Sequence, residues 1–555
     1  MRGKRIAGML ALCFLGLSVL VGVRLWDWHL KNPVPYVDRV LGMPVVQDTD
    51  FLAGKERLAC GRNPGVFYEG VLLPFDRDGT LYLPQDGGEE WLGKLSAPPD
   101  TGFLCVEDDS YWKRKSDAIR DNHSFTLWLV GEGGYYEMRL VVTGTPVMSI
   151  QTTRREEQAR AAYEEDPDEY FYGGETLYYG TVDLFNPGIR TEEYEIIQSY
   201  VCYHQKGATA SAFEKKSYSI SLRDSDGQNA DVSLLGMRED DDWKLNALFN
   251  DPNRIREISA SRLWGMFGGN GMPLKQAGAG MEYVELVLDG RYEGIYCLVE
   301  PIDKKQLGLG PRDVLYKVVN GGVPDDEDIG ESARNGWKLQ YPIRLRYPKS
   351  PRDYEAAWYP MRDYLSMFYR NRDVSYQEMA TKTDAANLCD MLIFLMVTSA
   401  SDNSYNNIYY AARVDEEGRY VMYLIPWDLD LTFGSRADFG QRNFRIFDGD
   451  YGKIYTVEAA EKLIAAAPDE MWPYLGDRWE EYRAGFLGTE SVLGILTQNR
   501  DYLVETGAAI REQERWPEEE VETDIQELLD FQRKRMEWLD GYFGAEQAPW
   551  QKTEK

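Results

Sequence analysis

The chain has 555 residues with 92 acidic against 62 basic side chains, and its formal net charge of -30 excludes general affinity for nucleic acid and anionic headgroups. Hydrophobic residues make up 43% and charged residues 28%, with 37 Tyr and 15 Trp, which is the composition of a folded globular protein. The length exceeds one ordinary core, so two or three domains are expected, and any phosphate site must be locally basic or metal-assisted.

At the N-terminus Arg2, Lys4 and Arg5 precede an uncharged run from Ile6 to Val23 that is just long enough to cross a bilayer. Arg24, Trp26, Asp27 and Trp28 follow without a small-x-small cleavage pattern. Residues 1–30 therefore read as a basic flank and an uncleaved transmembrane anchor. The positive flank keeps the N-terminus inside, which makes a single-pass membrane protein with its bulk extracytoplasmic. Outside the run the cysteines are Cys60, Cys105, Cys202, Cys297 and Cys389, an odd set that cannot pair completely. His29, His123 and His204 are too scattered to suggest zinc.

Residues 31–190 hold short aromatic and β-branched runs between Gly, Pro and Asp: Gly65 to Leu73, Thr80 to Leu83, Ser124 to Val130 and Tyr135 to Thr143. They predict a β-rich accessory region without a chemical motif. The charged stretch Arg154 to Glu169 reads as a short helix or a linker.

Tyr194 to Tyr203 and Lys216 to Leu222 predict strands. Asp251 and Pro252 then open a helix, as an Asp cap and a first-turn Pro do, and Asn253 to Phe267 continues it. Tyr283 to Leu288 and Gly294 to Val299 form a hairpin about Asp289-Gly290. Thr383 to Ala400 is a helix apolar nearly all round in its second half, so it is expected in the interior of a helical lobe. A polar loop, Ser401 to Asn407, leads to a second hairpin, Ile408 to Val414 and Tyr420 to Ile425, joined by Asp415-Glu416-Glu417-Gly418. Thr456 to Phe543 is largely helical.

Whatever precedes the first strand of a hairpin and follows its second lies at the same end of the pair. Asp402, Asn403, Asn406 and Asn407 therefore meet Trp427, Asp428 and Asp430, and carboxylates with amides converging in this way suit Mg2+. Asp402 and Asn407 have the D-x-x-x-x-N spacing of a protein-kinase catalytic loop, with Asp428 at the place of the metal-binding Asp. The plain alternative is that these residues cap turns and solvate a loop. Upstream, Lys216 begins a strand and could contact phosphate, although a solvated edge lysine reads the same way. Glu257 could pair with that lysine or could be an exposed helix charge.

Lys206-Gly207 through Lys215-Lys216-Ser217-Tyr218-Ser219-Ile220, Asp242-Trp243-Lys244-Leu245 with Asn250-Asp251-Pro252, Tyr283 to Glu300, Asp402-Asn403 with Asn407, and Pro426-Trp427-Asp428-Leu429-Asp430-Leu431-Thr432-Phe433-Gly434 resemble, in order, the spore coat protein H (CotH) kinase family. The resemblance implies an α+β, atypical protein-kinase-like fold with two lobes, here following the accessory region and the membrane anchor. The expected divisions are an N-lobe over 191–320, a C-lobe over 321–500 and an acidic helical tail over 501–555. It also implies ATP with Mg2+ or Mn2+, and phosphorylation of Ser or Thr in a protein substrate during spore-coat or cell-surface assembly. Position by position, Asp402 and Lys216 would be catalytic, and Lys216, Tyr218, Trp427 and Glu300 would bind the nucleotide. Asn407, Asp428 and Asp430 would hold metal. Two positions depart from the family: Asn406 stands where His is usual, and Ala208 stands in a loop that commonly reads Arg-Gly-Asn. The alternative is a non-catalytic CotH-like structural or assembly protein, whose partners are coat or envelope proteins.

Overall fold

The structure, a computed structural model, describes residues 36–38, 43–85, 92, 94–98, 100–157, 176–188, 194–207, 212–267, 274, 278–318, 326–336, 339–340, 342–370, 373–404, 406–435 and 449–546. The expected anchor over Ile6 to Val23 and the departure at Ala208 lie outside these residues. Among the described residues, no helix is long and apolar enough to cross a membrane.

The N-terminal region is a seven-stranded sheet in which Ser124–Val130 and Tyr135–Thr143 pair antiparallel, as their sequence predicts. The run Gly65 to Leu73 does not form one strand. It splits into Phe67–Tyr68 and Val71–Leu72 because Glu69 and Gly70 take φ of 50° and 84° and turn the chain between them.

The next unit is a closed barrel of seven strands: β1 (Val147–Glu157), β2 (Thr176–Asn186), β3 (Glu195–Lys206), β4 (Ser217–Arg223), β5 (Asp242–Asn246), β6 (Met281–Leu288) and β7 (Tyr292–Val299). The order round the barrel is β1-β2-β3-β4-β5-β7-β6, and parallel pairing of β6 with β1 closes it. Met148, Ile150, Val182, Leu184, Val201, Ile220, Leu245 and Leu298 fill one interior. A division at residue 190 therefore cuts through the barrel, because β1 and β2 need the same core as the strands after it. Arg154 to Glu157 prolong β1 and start no helix; residues 158–169 lie outside the described set. The β6–β7 turn has Asp289 and Gly290 at φ of 52° and 70°, the left-handed pair that a two-residue hairpin requires.

Helix α1 (Arg256–Phe267) begins later than Pro252 suggests. Asp251 still caps it, from a distance: one carboxylate oxygen accepts from the N–H groups of Ile255 and Arg256, each at 2.7 Å. Arg254, at a φ of 59°, breaks the helical path between them.

A second sheet contains β8 (Val314–Val318), β9 (Leu339–Gln340), β10 (Ile343–Tyr347), β11 (Ile408–Val414) and β12 (Tyr420–Pro426), all antiparallel in the order β9-β10-β8-β11-β12. β8 thus belongs with the C-terminal sheet and not with the lobe expected to end at residue 320. One face of this sheet packs on α2 (Tyr354–Phe368) and α3 (Ala385–Thr398). Asp384 caps α3 by accepting from the Asn387 N–H at 2.8 Å, and Ser399 ends it in the left-handed region. Every residue from Asn387 to Thr398 is buried, as the all-round apolar sequence demands.

The C-terminal helices α4 (Thr489–Glu505), α5 (Ala508–Arg515) and α6 (Gln526–Phe543) are no tail. From α5, Arg511 makes a bidentate pair with Glu285 of β6 at 2.6 and 2.7 Å. Glu512 is fully buried and accepts from Lys215 at 2.8 Å, Arg254 at 3.1 Å and the Ile295 N–H at 2.7 Å. From α6, Arg535 donates to the Met396 carbonyl at 2.6 Å and Gln532 to that of Val397 at 2.9 Å, which satisfies the free carbonyls at the end of α3. Removing one partner of a buried ion pair costs about 3–5 kcal/mol because the other charge stays uncompensated. Glu512→Ala, which strands Lys215 and Arg254, should lower the unfolding free energy by an amount of that size, read as a shift of the urea transition by circular dichroism. A shift no larger than that of an exposed Glu→Ala control would contradict the link.

Candidate functional site

The site is built at the end of α3. The chain leaves the helix at Ser399, turns through residues 401–407, runs out and back along β11 and β12, and returns as the loop Trp427 to Gly434. Ile408 pairs with Pro426, so the two loops emerge side by side. Asn403, with no exposed surface, ties them: its amide donates to the carbonyls of Asn407 at 3.0 Å and Trp427 at 2.8 Å. The Trp427 N–H donates to the Asn407 carbonyl at 3.0 Å, and the Phe433 N–H to that of Thr398. Asn407, Asp428 and Phe433 take φ of 53°, 58° and 52°. Three non-glycine residues in the left-handed region within two short loops is the kind of strain found at functional sites.

Asp402 is half-buried and receives an amide on each oxygen, from Asn406 at 2.9 Å and Asn407 at 2.7 Å. Each amide is thereby oriented with its nitrogen toward Asp402 and its own oxygen available elsewhere. The Asn406 oxygen is buried without a hydrogen-bond partner. Asp430 accepts from the amide of Asn250, on the loop before α1. Burial, then the charges of Asp428 and Glu257, pushes the Asp430 carboxyl well above its ordinary range. Glu257 of α1 is buried, accepts from Asn246 at 2.6 Å, and is raised to about 7 by burial and by Asp428. It is no exposed helix charge, and the lysine that acts on it is Lys206.

A basic group lies beside these acids, around the Trp427 ring. Lys244 of β5 stands 4.1 Å from the ring centroid, Lys317 of β8 4.3 Å and Lys206 of β3 5.5 Å. Burial, then Lys244 and Arg346, pushes the Lys317 ammonium well below its usual range, and Asp428 opposes the shift.

Of the residues singled out by sequence, Asp402, Asn407, Trp427, Asp428 and Asp430 thus meet at one place. The Lys216 ammonium donates to the Phe213 carbonyl, and Tyr218 packs edge-on against Tyr203, whose ring belongs to the barrel interior. Glu300 is buried at the end of β7, where its carboxylate accepts from the N–H groups of Arg238 at 2.8 Å and Gly280 at 3.0 Å. It brackets two loops, and a Cβ at Gly280 would lie 2.5 Å from the carboxylate and force it to shift. Sequence reasoning quoted Lys206, Lys244 and Asn250 in the segments that resemble the family without giving them a role, and passed over Lys317 and Asn246. Lys317 carried a usable signal, a lone charge inside the apolar run Val314 to Val318.

A profile described as CotH kinase protein matches residues 203–539. The chain belongs to the CotH kinase family. No curated protein matches it. The matched span runs from the end of β3 through β4 to β12, both loops and nearly all of α6, and so includes the buried Glu512, Gln532 and Arg535.

The donor set fits a divalent cation. Mg2+ takes one or two carboxylates and completes its shell with phosphate and water oxygens. Among the described residues, Asp402, Asp428 and Asp430 do not bring three oxygens within 4.8 Å of one another, so a fully protein-built cage is absent, while the orphaned Asn406 oxygen and the mutual crowding of Asp428, Asp430 and Glu257 each favour a cation. The tighter trio Asp231, Asp240 and Asp241 already surrounds an internal cation, with the Lys305 ammonium 2.8, 3.6 and 3.5 Å away.

A raised carboxyl contributes stability that is complete below its unfolded value and is lost as pH climbs through the folded one. Asp430→Asn lacks that loss. In metal-free buffer its thermal midpoint should gain on wild type as pH rises above the ordinary carboxylate range of about 4, measured by scanning fluorimetry. A difference that does not change with pH would show that Asp430 is not crowded by like charge.

Proposed function

We propose that the chain is a CotH-like atypical protein kinase that uses ATP with Mg2+ or Mn2+ to phosphorylate Ser or Thr in a protein substrate. The observation that carries this reading is the separation of charge across the Trp427–Asp428 bond, with carboxylates crowding one another on one side and ammoniums on the other. A metal–polyphosphate complex is the ligand class that answers both halves, in a protein whose overall charge repels free polyanions.

Asp428, Asp430 and the oxygen of Asn407 would hold the metal. When bound, it would neutralise phosphate charge and favour transfer. Asp402 is placed by its two amide donors with lone pairs still open, and would orient the substrate hydroxyl and take its proton. Glu257 and Asn250 fix the inner boundary of the acidic group through Asn246 and Asp430. The substrate would be a coat or envelope protein met on the extracytoplasmic side of a membrane that the N-terminal run anchors to.

Asn406 favours a second reading, a non-catalytic assembly protein, because an amide replaces a titratable donor beside Asp402. Calorimetry and radiolabel transfer on the full-length chain separate the two. Wild type should bind MgATP and phosphorylate a Ser/Thr-rich acceptor. Asp428→Ala should lose binding by about tenfold or more, whereas Asp402→Ala should keep binding and lose transfer by about a hundredfold or more. Absence of MgATP binding in wild type would sink the kinase reading, and binding without transfer would favour the assembly protein.

A further inference from the structure

Asn250 reaches Asp430 from a loop that needs outside support. Residues 247–255 join β5 to α1, and Leu248 and Arg254, near the two ends of that stretch, take φ of 53° and 59°. Non-glycine residues in the left-handed region persist only where their surroundings over-determine the backbone. Those surroundings come from the far end of the chain. The Glu512 carboxylate accepts from Arg254 at 3.1 Å, and the Trp516 ring meets Phe249 edge-on with 5.2 Å between centroids. The Glu522 N–H donates to the Pro252 carbonyl at 3.0 Å, and the Asn253 amide donates to the Glu522 carbonyl at 2.8 Å. Trp516 is itself fixed, because its indole N–H donates to the Glu293 carbonyl at 3.1 Å and the Arg515 guanidinium lies 3.9 Å from its ring centroid. Gln513 holds the turn from Trp516 to Glu522 by accepting from the Val521 N–H at 2.8 Å.

We propose that residues 512–522 are a positioning brace for the acidic half of the site: by fixing the loop on both sides of Asn250, they hold its amide on Asp430 and so aim that carboxylate at the metal. The inference rests on the metal-binding reading above and adds the residues that prepare Asp430 for it. Asp428 and Glu257 crowd Asp430, so its carboxylate turns away from them unless a donor retains it. A lysine or arginine in the place of Asn250 would retain Asp430 and also neutralise it, in competition with a cation. An amide engages one oxygen, Oδ2, and leaves the charge and Oδ1 to the metal. Such a donor is only as well placed as the backbone that carries it, and losing one outside the ligand set typically costs about 10- to 100-fold in metal affinity. Phe249, the neighbour of Asn250, and Pro252, two residues on, are the points at which the brace grips.

The test is metal binding to the full-length chain in detergent micelles, read by paramagnetic resonance with Mn2+ alone and by calorimetry with MnATP. Asn250→Ala should weaken binding by about tenfold. Trp516→Leu, which withdraws the ring from Phe249, should weaken it by about threefold or more, and Trp516→Phe, which keeps an aromatic edge there, should recover most of that loss. The double variant Trp516→Leu/Asn250→Ala should bind no more weakly than Asn250→Ala, because the brace acts only through the amide. A Trp516 that merely stabilised the fold would leave the affinity of the folded protein unchanged, or add its loss to that of Asn250→Ala. Either result overturns the brace while the metal reading stands, as does an Asn250→Ala variant that binds like wild type. Should Trp516→Leu not fold, Gln513→Ala, which releases the turn between Trp516 and Glu522, takes its place in the same cycle with the same outcomes. Wild type that binds neither probe overturns the metal reading and the brace together, whereas wild type that binds MnATP and transfers no phosphate refutes the kinase reading alone.

Discussion

One buried amide sets the geometry of the site. Asn403 holds the carbonyls of Asn407 and Trp427 together from inside the protein, so the loop before β11 and the loop after β12 cannot move independently. Asp402 and Asp428 are held by this tie, since Asp402 precedes Asn403 itself and Asp428 follows Trp427, which it grips. The tie in turn depends on α3, whose last carbonyls are held by Gln532 and Arg535. A side chain more than a hundred residues downstream thereby steadies the helix from which the site is built.

The site is bipolar, and its halves differ in how they are assembled. The acidic half comes from two loops and one helix start, gathered mostly by local turns and caps. The basic half comes from β3, β5 and β8, and exists only when the barrel and the second sheet face each other across Trp427. Each half is unfavourable alone, as the opposite shifts of Asp430 and Lys317 record. Asp428 touches both groups electrostatically: it crowds Glu257 and Asp430 and opposes the shift of Lys317, while Glu257 faces Lys206.

This difference decides what could be read from sequence. α3 and the β11–β12 hairpin were legible because their signals are local: an apolar run behind an Asp cap, and a turn with Gly418 at a φ of 76°. The loop residues of the acidic half followed from hairpin geometry, the D-x-x-x-x-N spacing and the resemblance together. The barrel was not legible as a barrel, because its closure joins Val147 to Glu285 and no local pattern announces that pairing. Lys317 was missed for the same reason, and the conspicuous Lys215-Lys216 pair drew attention away from Lys206, which faces Ser217 across the ladder. Residues 501–555 looked like a solvated tail because the surfaces they bury carry Arg511, Glu512, Gln532 and Arg535, and charged side chains do not register as core in a hydrophobic pattern.

The place of Glu512 also bears on how the chain is made. Emerging from the ribosome in order, β1 to β7 are complete by residue 299, yet Lys215 and Arg254 then sit in the wall with their counter-charge still some two hundred residues from synthesis. Domains that fold as they are made avoid such a debt to a distant segment. Until α5 is made, Lys215 and Arg254 lack the carboxylate that is buried with them. Nascent chains that stop short of it expose two cations where the finished protein has a sealed seam, a difference that quality control can act on.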